Sequence, residues 1–563
     1  MVQPSQKWLD KFNDTLVPEM FVKVTYSVTE PGLQEDATPS TNGEVLFSNV
    51  SSVVDNSTQL YTKYATGELN FTQLDGVYKL PPATISESVS FILTTLDYDV
   101  LETSTGDVLT GNKMSYPDEA GYTSELCVTE NNHPTVTFSF SKIHTASIPG
   151  ISIVWSTTFN EWATSFNLTA YSGNTSVSTK TITGNADVSC EIDWEISGYD
   201  SISIEVLEWC IPNRRARMER IQFGRFIVFE KNDIFSYKHE STRDPISGQL
   251  PNDSITFTVD NSQQKWSPIN PEGLYKYLYE RQSISVEYGM NLDGVTEWIT
   301  GGKFFLSEWS VPSNSIEASF TARDAFGYLM ASNYTGRMYG TLYEMAYDAL
   351  ELLSDNVITF QIADELKNYS TDITKQDKSS YKDSDILQMI ANAAGMAMYQ
   401  TRDGVIVIDR IPDFSSAKAN FSGEISIVNN FSWPEITFSS PLKNVTCSID
   451  VKSGDSTTSK TVSYPESATG EGATQSVSNE MLSESVLAQS KNILTESYKI
   501  LSNRRKASLS YRASPHFDAL DCVLIHHQFG YSSVLLTTNF TYEYSGCFHG
   551  TVEGYMLEGA DVR

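Results

Sequence analysis

The sequence has no run of about 18 apolar residues, so no transmembrane helix is expected. Its start, "MVQPSQKWLDKFND", has no apolar secretory core, and the opening Met argues against a removed leader. Positive charge is scarce. Lys and Arg number 39 against 70 Asp and Glu, a formal net charge of -31. That excludes a general affinity for nucleic acid, which needs basic surfaces. The six cysteines (Cys127, Cys190, Cys210, Cys447, Cys522 and Cys547) form no C-x-x-C. A zinc site or dense disulfide framework is therefore not expected, and buried thiols are. Cys190 and Cys210 are placed to fall on neighbouring strands of one sandwich. Catalytic signatures are missing too: no G-x-S-x-G, H-E-x-x-H, Walker A, G-x-G-x-x-G or calcium loop occurs. The one histidine pair, His526-His527, would point to opposite faces of a strand and cannot easily share a metal. No enzyme activity, cofactor or metal is expected.

What the chain does have is aromatic and β-branched residues in short alternating runs, with 29 Tyr, 27 Phe and 9 Trp. Residues 1–119 read as an N-terminal β domain. It contains "MFVKVTYSV", "GEVLFSNVSSVVD" and "YATGELNFTQLDGVYKLPP". Residues 120–223 read as a β-sandwich, with strands at regular spacing between Gly, Asn and Ser. Residues 224–331 are strands again, with a short helix expected at "PEGLYKYLYERQ". Residues 332–440 read as a helical α+β insert. In "TLYEMAYDALELLS", Leu342, Met345, Ala346, Ala349, Leu350 and Leu353 share a face. In "DILQMIANAAG", Asp385 and Gln388 make a capping pair and Gly395 a stop. "MAMYQTRDGVIVIDRI" follows as two strands around Asp403-Gly404. Residues 441–563 form a last β region. A Ser/Thr/Gly-rich flap is expected at 453–479, then a helix carrying Val486, Ile493, Leu494 and Leu501.

Two sets of residues stand out. "IPNRRARMERIQFGRF" concentrates Arg214, Arg215, Arg217, Arg220 and Arg225 in an acidic chain. If it is one strand, Arg215, Arg217, Glu219 and Arg225 share one face and Arg214 and Arg220 take the other. That split disfavours a nucleic-acid stripe. It favours pairing with acidic groups at an inter-module or subunit contact. Trp155 and Trp162 are candidate glycan contacts by ring stacking, although a Trp in a sandwich is more often core.

The order "GYTSEL … PTVTFSFSKIH … GISIVW … SISIEVLEWCIPNRRARMERIQFG" resembles a module of tail proteins from phages infecting Gram-positive bacteria. The stretches "NDIFSYKHESTRDPISGQLPNDSITFTVDN", "INPEGLYKYLYERQSISVEYGM" and "EWITGGKFFLSEW" resemble the first barrel of a tail hub. "DILQMIANAAGMAMYQTRDGVIVIDRI" and the closing strands are similar to the hub's helical insert and second barrel. The resemblance implies a mainly β fold with α+β insertions. It has two hub-type barrels and an inserted, carbohydrate-binding-module-like sandwich. It implies a homotrimer at the tail tip or baseplate of a virion, assembled in the host cytoplasm. Such a hub closes the tube and docks a fibre, spike or receptor-binding protein. Its other implied partners are distal tail or tube proteins, the tape measure, and phage DNA in transit. A host cell-wall glycan enters through the alternative role, a receptor-binding tail protein. The acidic balance suits a passage to which DNA does not adhere.

Overall fold

The computed structural model describes residues 4–14, 19–30, 33–41, 46–47, 91–93, 101–103, 122–157, 160–212, 214–351, 359–374, 376–411, 423–453, 456–468 and 471–557. The chain divides into two compact units. One comprises Met1–Tyr26, Val228–Tyr275 and Ser283–Arg563, and the other Ser27–Ile227 and Lys276–Gln282. It is mainly β, in several sheets.

The first unit is built on one large, mostly antiparallel sheet. Its path runs through Met20–Val28, Ser283–Leu292, Val295–Ser310, Glu317–Arg323, Asn252–Asp260 and Ile234–Thr242. It continues through Ser532–Tyr544, Phe548–Met556, Arg505–Tyr511 and Glu435–Phe438. Period-two patterning accounts for these strands. Ile255, Phe257 and Val259 alternate inward, as do Ala318, Phe320 and Ala322 on the partner strand. The register sets Phe257 opposite Phe320, and their rings stack with centroids 5.3 Å apart. Burying each such ring contributes about 1.5–3 kcal/mol. The seam between the two strand sets is Tyr237↔Tyr544 through Thr242↔Asn539, across some three hundred residues of chain.

Helices Leu342–Glu351 and Asp383–Ala393 pack their predicted faces into a second core of this unit. Leu353 lies outside the described residues. The cap on Asp383–Ala393 is not Asp385 with Gln388. Instead the Lys382 backbone N–H donates to Asp385 at 3.0 Å, while Gln388 donates to the Gly248 carbonyl at 3.1 Å. Gly395 does stop the helix, at φ +63°, a left-handed turn that favours glycine. Strands Ala397–Gln400 and Val405–Asp409 form the expected hairpin, and Thr359–Ile362 joins it in parallel.

Several boundaries differ from the sequence reading. Residues 441–563 are not one barrel. Val445, Cys447 and Ile449 of Leu442–Ser453 face the helical core, as do Ile493 and Leu494, so the helical module extends past residue 440. The 453–479 segment is largely strand. Ser456–Tyr464 and Ala473–Val477 flank Leu442–Ser453, because alternate Thr and Val residues tolerate a half-exposed sheet. The helix expected over 486–501 is broken into Glu484–Leu487 and Ile493–Leu501, the second capped by the Asn492 side chain. "PEGLYKYLYERQ" holds only a 3₁₀ turn, Tyr275–Tyr277. The described strands before residue 50 join different sheets. Met20–Val28 zips onto Ser283–Leu292, since Met20, Val22, Val24 and Tyr26 all need burial. Thr38–Thr41 joins Thr135–His144, and Leu46–Phe47 joins Tyr122–Cys127. Most of the other strands expected before residue 119 lie outside the described residues.

The second unit is a β-sandwich. A five-stranded sheet runs Thr175–Thr183, Ala163–Ser172, Tyr199–Trp209, Thr135–His144, Thr38–Thr41. It shares one core with the three-stranded sheets Ser189–Ile196, Ile148–Val154, Arg220–Phe223 and Arg215–Met218, Tyr122–Cys127, Leu46–Phe47. Gly224 ends Arg220–Phe223 at φ +128°; a Cβ there would meet the Val28 carbonyl oxygen at 2.5 Å. Cys190 lies in Ser189–Ile196 and Cys210 directly after the end of Tyr199–Trp209, and both are free thiols.

Candidate functional site: buried ionic junctions

The arginine cluster does not form one strand. It breaks into Arg215–Met218, Arg220–Phe223 and Arg225–Glu230, interrupted at Glu219 and Gly224. The register shifts between Arg215 and Arg217, and such a bulge re-aims side chains. Arg214 and Arg217, expected on opposite faces, therefore converge on one carboxylate. Buried Glu161 lies 3.3 Å from Arg217 and 3.8 Å from Arg214. Glu161 also accepts the Trp209 indole N–H at 2.9 Å. Glu219 accepts the Thr157 backbone N–H at 2.6 Å. Arg215 and Arg220 are half-buried, and Arg225 pairs with Asp193. The pairs of Arg214 and Arg217 with Glu161, and of Arg225 with Asp193, lie inside the sandwich unit.

The tryptophans also read differently in place. Trp155 is 1% exposed, packed edge-on against Phe166 and Trp209. Its ring has no face left for a sugar. Trp162 is half-buried at the core margin, its indole N–H donating to the Asn185 carbonyl at 3.1 Å. The two do not form a stacking platform.

Sequence reasoning missed a network in the first unit that joins its three parts. Arg243, at the end of the first strand set, donates to Asp253 at 3.2 Å, to the Gln400 carbonyl at 3.0 Å and to the Ala519 carbonyl at 3.3 Å. Arg402, in the turn of the helical module's hairpin, donates to Asp518 at 2.8 Å, to the Phe517 carbonyl at 2.9 Å and to the Thr300 carbonyl at 2.6 Å. Two guanidinium groups thus each tie one strand set, the helical module and the other strand set together. Gln400 completes the joint: its amide donates to the Lys303 carbonyl at 2.7 Å and accepts the Ala325 N–H at 2.7 Å. Beneath it, His239 bonds Asp253 at 2.5 Å and the Tyr288 hydroxyl at 2.9 Å, and Tyr288 bonds the Tyr237 hydroxyl at 2.8 Å.

Burial alone would raise the Asp253 carboxyl, but His239 and Arg243 outweigh it and hold it below the ordinary carboxylate range. Burial opposes the charge on Asp518 as well, and Arg402 overcomes it. Asp324 goes the other way. Buried beside Asp253, it is raised well above the usual range, and its Oδ2 accepts no hydrogen bond. His516, buried and facing Arg402, is pushed down to about 3 and is neutral. The buried pairs Arg243–Asp253 and Arg402–Asp518 fix geometry more than they add stability. The one sequence signal was an Arg beside each turn, in "STRDP" and "YQTRDG".

The histidine pair is divided as expected. His526 bonds Glu424 at 2.7 Å, while His527 is buried against Ser533 and stacked on Tyr531. Among the described residues no cluster of three or more His, Cys, Asp or Glu side chains is arranged to hold a metal.

No family model matches the chain, and no curated protein does. Among solved structures it is similar to a tail protein from Neisseria meningitidis MC58, at 15% identity, 59% of this chain, 94% of that one and TM-score 0.38. It is also similar to prophage tail protein gp18 from Listeria monocytogenes EGD-e, at 13% identity, 59% of this chain, 91% of that one and TM-score 0.38. A third is a type VI secretion system component from E. coli, at 10% identity, 58% of this chain, 74% of that one and TM-score 0.34.

Proposed function

We propose that this chain is a structural hub of a phage tail tip or baseplate, working by geometry and not by catalysis. One observation carries the reading. Two strand sets, far apart in sequence, share a continuous sheet at the Tyr237–Thr242 and Asn539–Tyr544 seam. Arg243 and Arg402 lock both sets to the helical module between them. A rigid body with two β modules supplies two wall positions per copy, so three copies make a six-position ring around a tube. The order of modules follows the hub resemblance of the sequence. Partners in this reading are tube or distal tail proteins, the tape measure, and a fibre or receptor-binding protein. DNA passes through the ring, and the net charge of -31 keeps it from adhering.

The test is to label purified tails with antibody against this chain and image them by electron microscopy. Label at one tail end is expected. Label along the tube, or none, overturns the reading. Incubation with purified cell wall should release no soluble fragments; release would make the chain an enzyme.

A further inference from the structure

The large sheet of the first unit ends on Glu435–Phe438, which pairs Arg505–Tyr511 on one side and no other described strand on its second. The contact with that neighbour extends beyond the named strand: Phe431 N–H donates to the Ser510 carbonyl at 3.0 Å and Ser439 N–H to the Arg504 carbonyl at 2.8 Å. By antiparallel alternation the Ile436 and Phe438 backbone groups then face the open side. The edge is also unusually apolar. Phe438 is 71% exposed, Phe431 57% and Trp433 44%, and Ile427 and Val428 precede them, also exposed. No face of Glu435–Phe438 is fully buried. Natural sheets blunt free edges with charge, and here a long row of aromatics is left instead.

We propose that this edge receives a second copy of the chain, which adds a strand along Ile436–Phe438 and covers the aromatic row, in a head-to-tail contact. Charge selects the occupant. In a chain of net charge -31, residues 427–438 hold one carboxylate, Glu435, and the adjoining strand begins with Arg505 and Lys506, preceded by Arg504. Acidic copies repel one another except where such cations meet an acidic surface. The same cations disfavour the edge meeting itself across a two-fold axis, because each would face its own image. A head-to-tail contact that closes makes a ring. The three aromatics leave roughly 300–400 Å2 exposed, approaching half of the about 800 Å2 each partner buries in a stable interface. Added backbone pairing supplies more. The inference rests on the ring reading above for its closure, and names the surface that forms it.

The experiment is sedimentation and native mass measurement of the full chain over a concentration series, in low and high salt. The wild type is expected to form a closed oligomer of more than two copies. Phe438→Asp should raise its dissociation constant on the order of 10–100-fold while leaving the circular dichroism melt unchanged. Phe438→Pro removes the outward donor without touching the inner ladder and should do the same. Arg505→Glu with Lys506→Glu should weaken the oligomer and abolish its salt dependence. A wild type that is monomeric at every concentration, a dimer only, or an oligomer indifferent to these changes overturns the proposal. Ring formation without tail-end labelling would instead leave this contact standing and remove the tail reading.

Discussion

The two units both bury arginine–carboxylate pairs, but they use them at different ranges. In the sandwich, Glu161 gathers Arg214, Arg217 and Trp209 from within about sixty residues of chain. In the large unit, Arg243 and Arg402 reach partners up to 276 residues away, mostly backbone carbonyls of other modules. The first arrangement finishes a fold whose hydrophobic core already closes it. The second sets the angle between modules that separate cores would leave free. Carbonyl acceptors suit that task. A guanidinium fork that must meet two or three fixed carbonyls holds position as well as charge.

Removing Arg402 should therefore have the largest effect. Arg402→Ala removes the guanidinium bonded to buried Asp518 and should cost about 3–5 kcal/mol. The readout is urea unfolding of the full chain, with hydrogen exchange to locate the loss in Ala397–Gln400 and Ser532–Tyr544. Replacing both partners, as Arg402→Met with Asp518→Leu, should recover much of the stability but not the exchange protection at the seam. A loss under about 1 kcal/mol in the single variant would show that the pair does not set the joint. Glu161→Ala comes next, at about 2–3 kcal/mol, because Arg214 retains some access to water. Its exchange changes should stay inside the sandwich. If they spread to the large unit, the contrast between local closure and long-range joint fails.

The strands of both units were legible because alternation reports which face is buried. Met20–Val28 reads plainly as a strand in "MFVKVTYSV", and the helices at Leu342 and Asp383 read plainly from their apolar stripes. Partnership was not legible. Nothing local tells Met20–Val28 that its neighbour is Ser283–Leu292, or Ile234–Thr242 that it meets Ser532–Tyr544. Those choices are made by the shape of the whole core. The arginine cluster misled for a related reason. Five arginines close in sequence attract notice, yet a bulge at Arg215/Arg217 undoes the strand arithmetic used to place them. The long-range joint escaped because its members, Arg243, Asp253, Gln400, Arg402 and Asp518, are isolated polar residues whose burial no spacing announces.

A third prediction sharpens the sandwich's side of the comparison with pH. His144, 1% exposed, bonds Glu30 at 2.9 Å and Asp36 at 3.3 Å, holding the segment before Thr38–Thr41. Burial disfavours its charge, but Glu30 and Asp36 raise it above its ordinary value. Stacked Tyr199 stays neutral. A raised folded value means the stabilisation is fully present below the unfolded value, about 6.5, and is lost as pH rises through the folded one. Exchange at Ser141 and within Thr38–Thr41 should quicken on passing from pH 6 to pH 9. His144→Gln should be equally fast at both. A wild type whose protection is flat over this range, after correction for intrinsic exchange, would remove His144 from the account.

The smallest effect tests whether burial, and not pairing alone, separates these sites. Arg337 has the better geometry on paper. It reaches Asp348 through two nitrogens at 2.8 and 3.1 Å and Glu344 at 3.0 Å. Its side chain is nearly half exposed, however, so water already solvates the charges that the pair would satisfy. Arg337→Ala should move the urea midpoint far less than Arg402→Ala, and high salt should remove even that shift. Arg402→Ala, with a single carboxylate partner, should stay costly at the same salt concentration, because screening ions do not reach Asp518. If the exposed pair proved as costly as the buried one, bond count would govern both. The long-range joint would then be one ion pair among several.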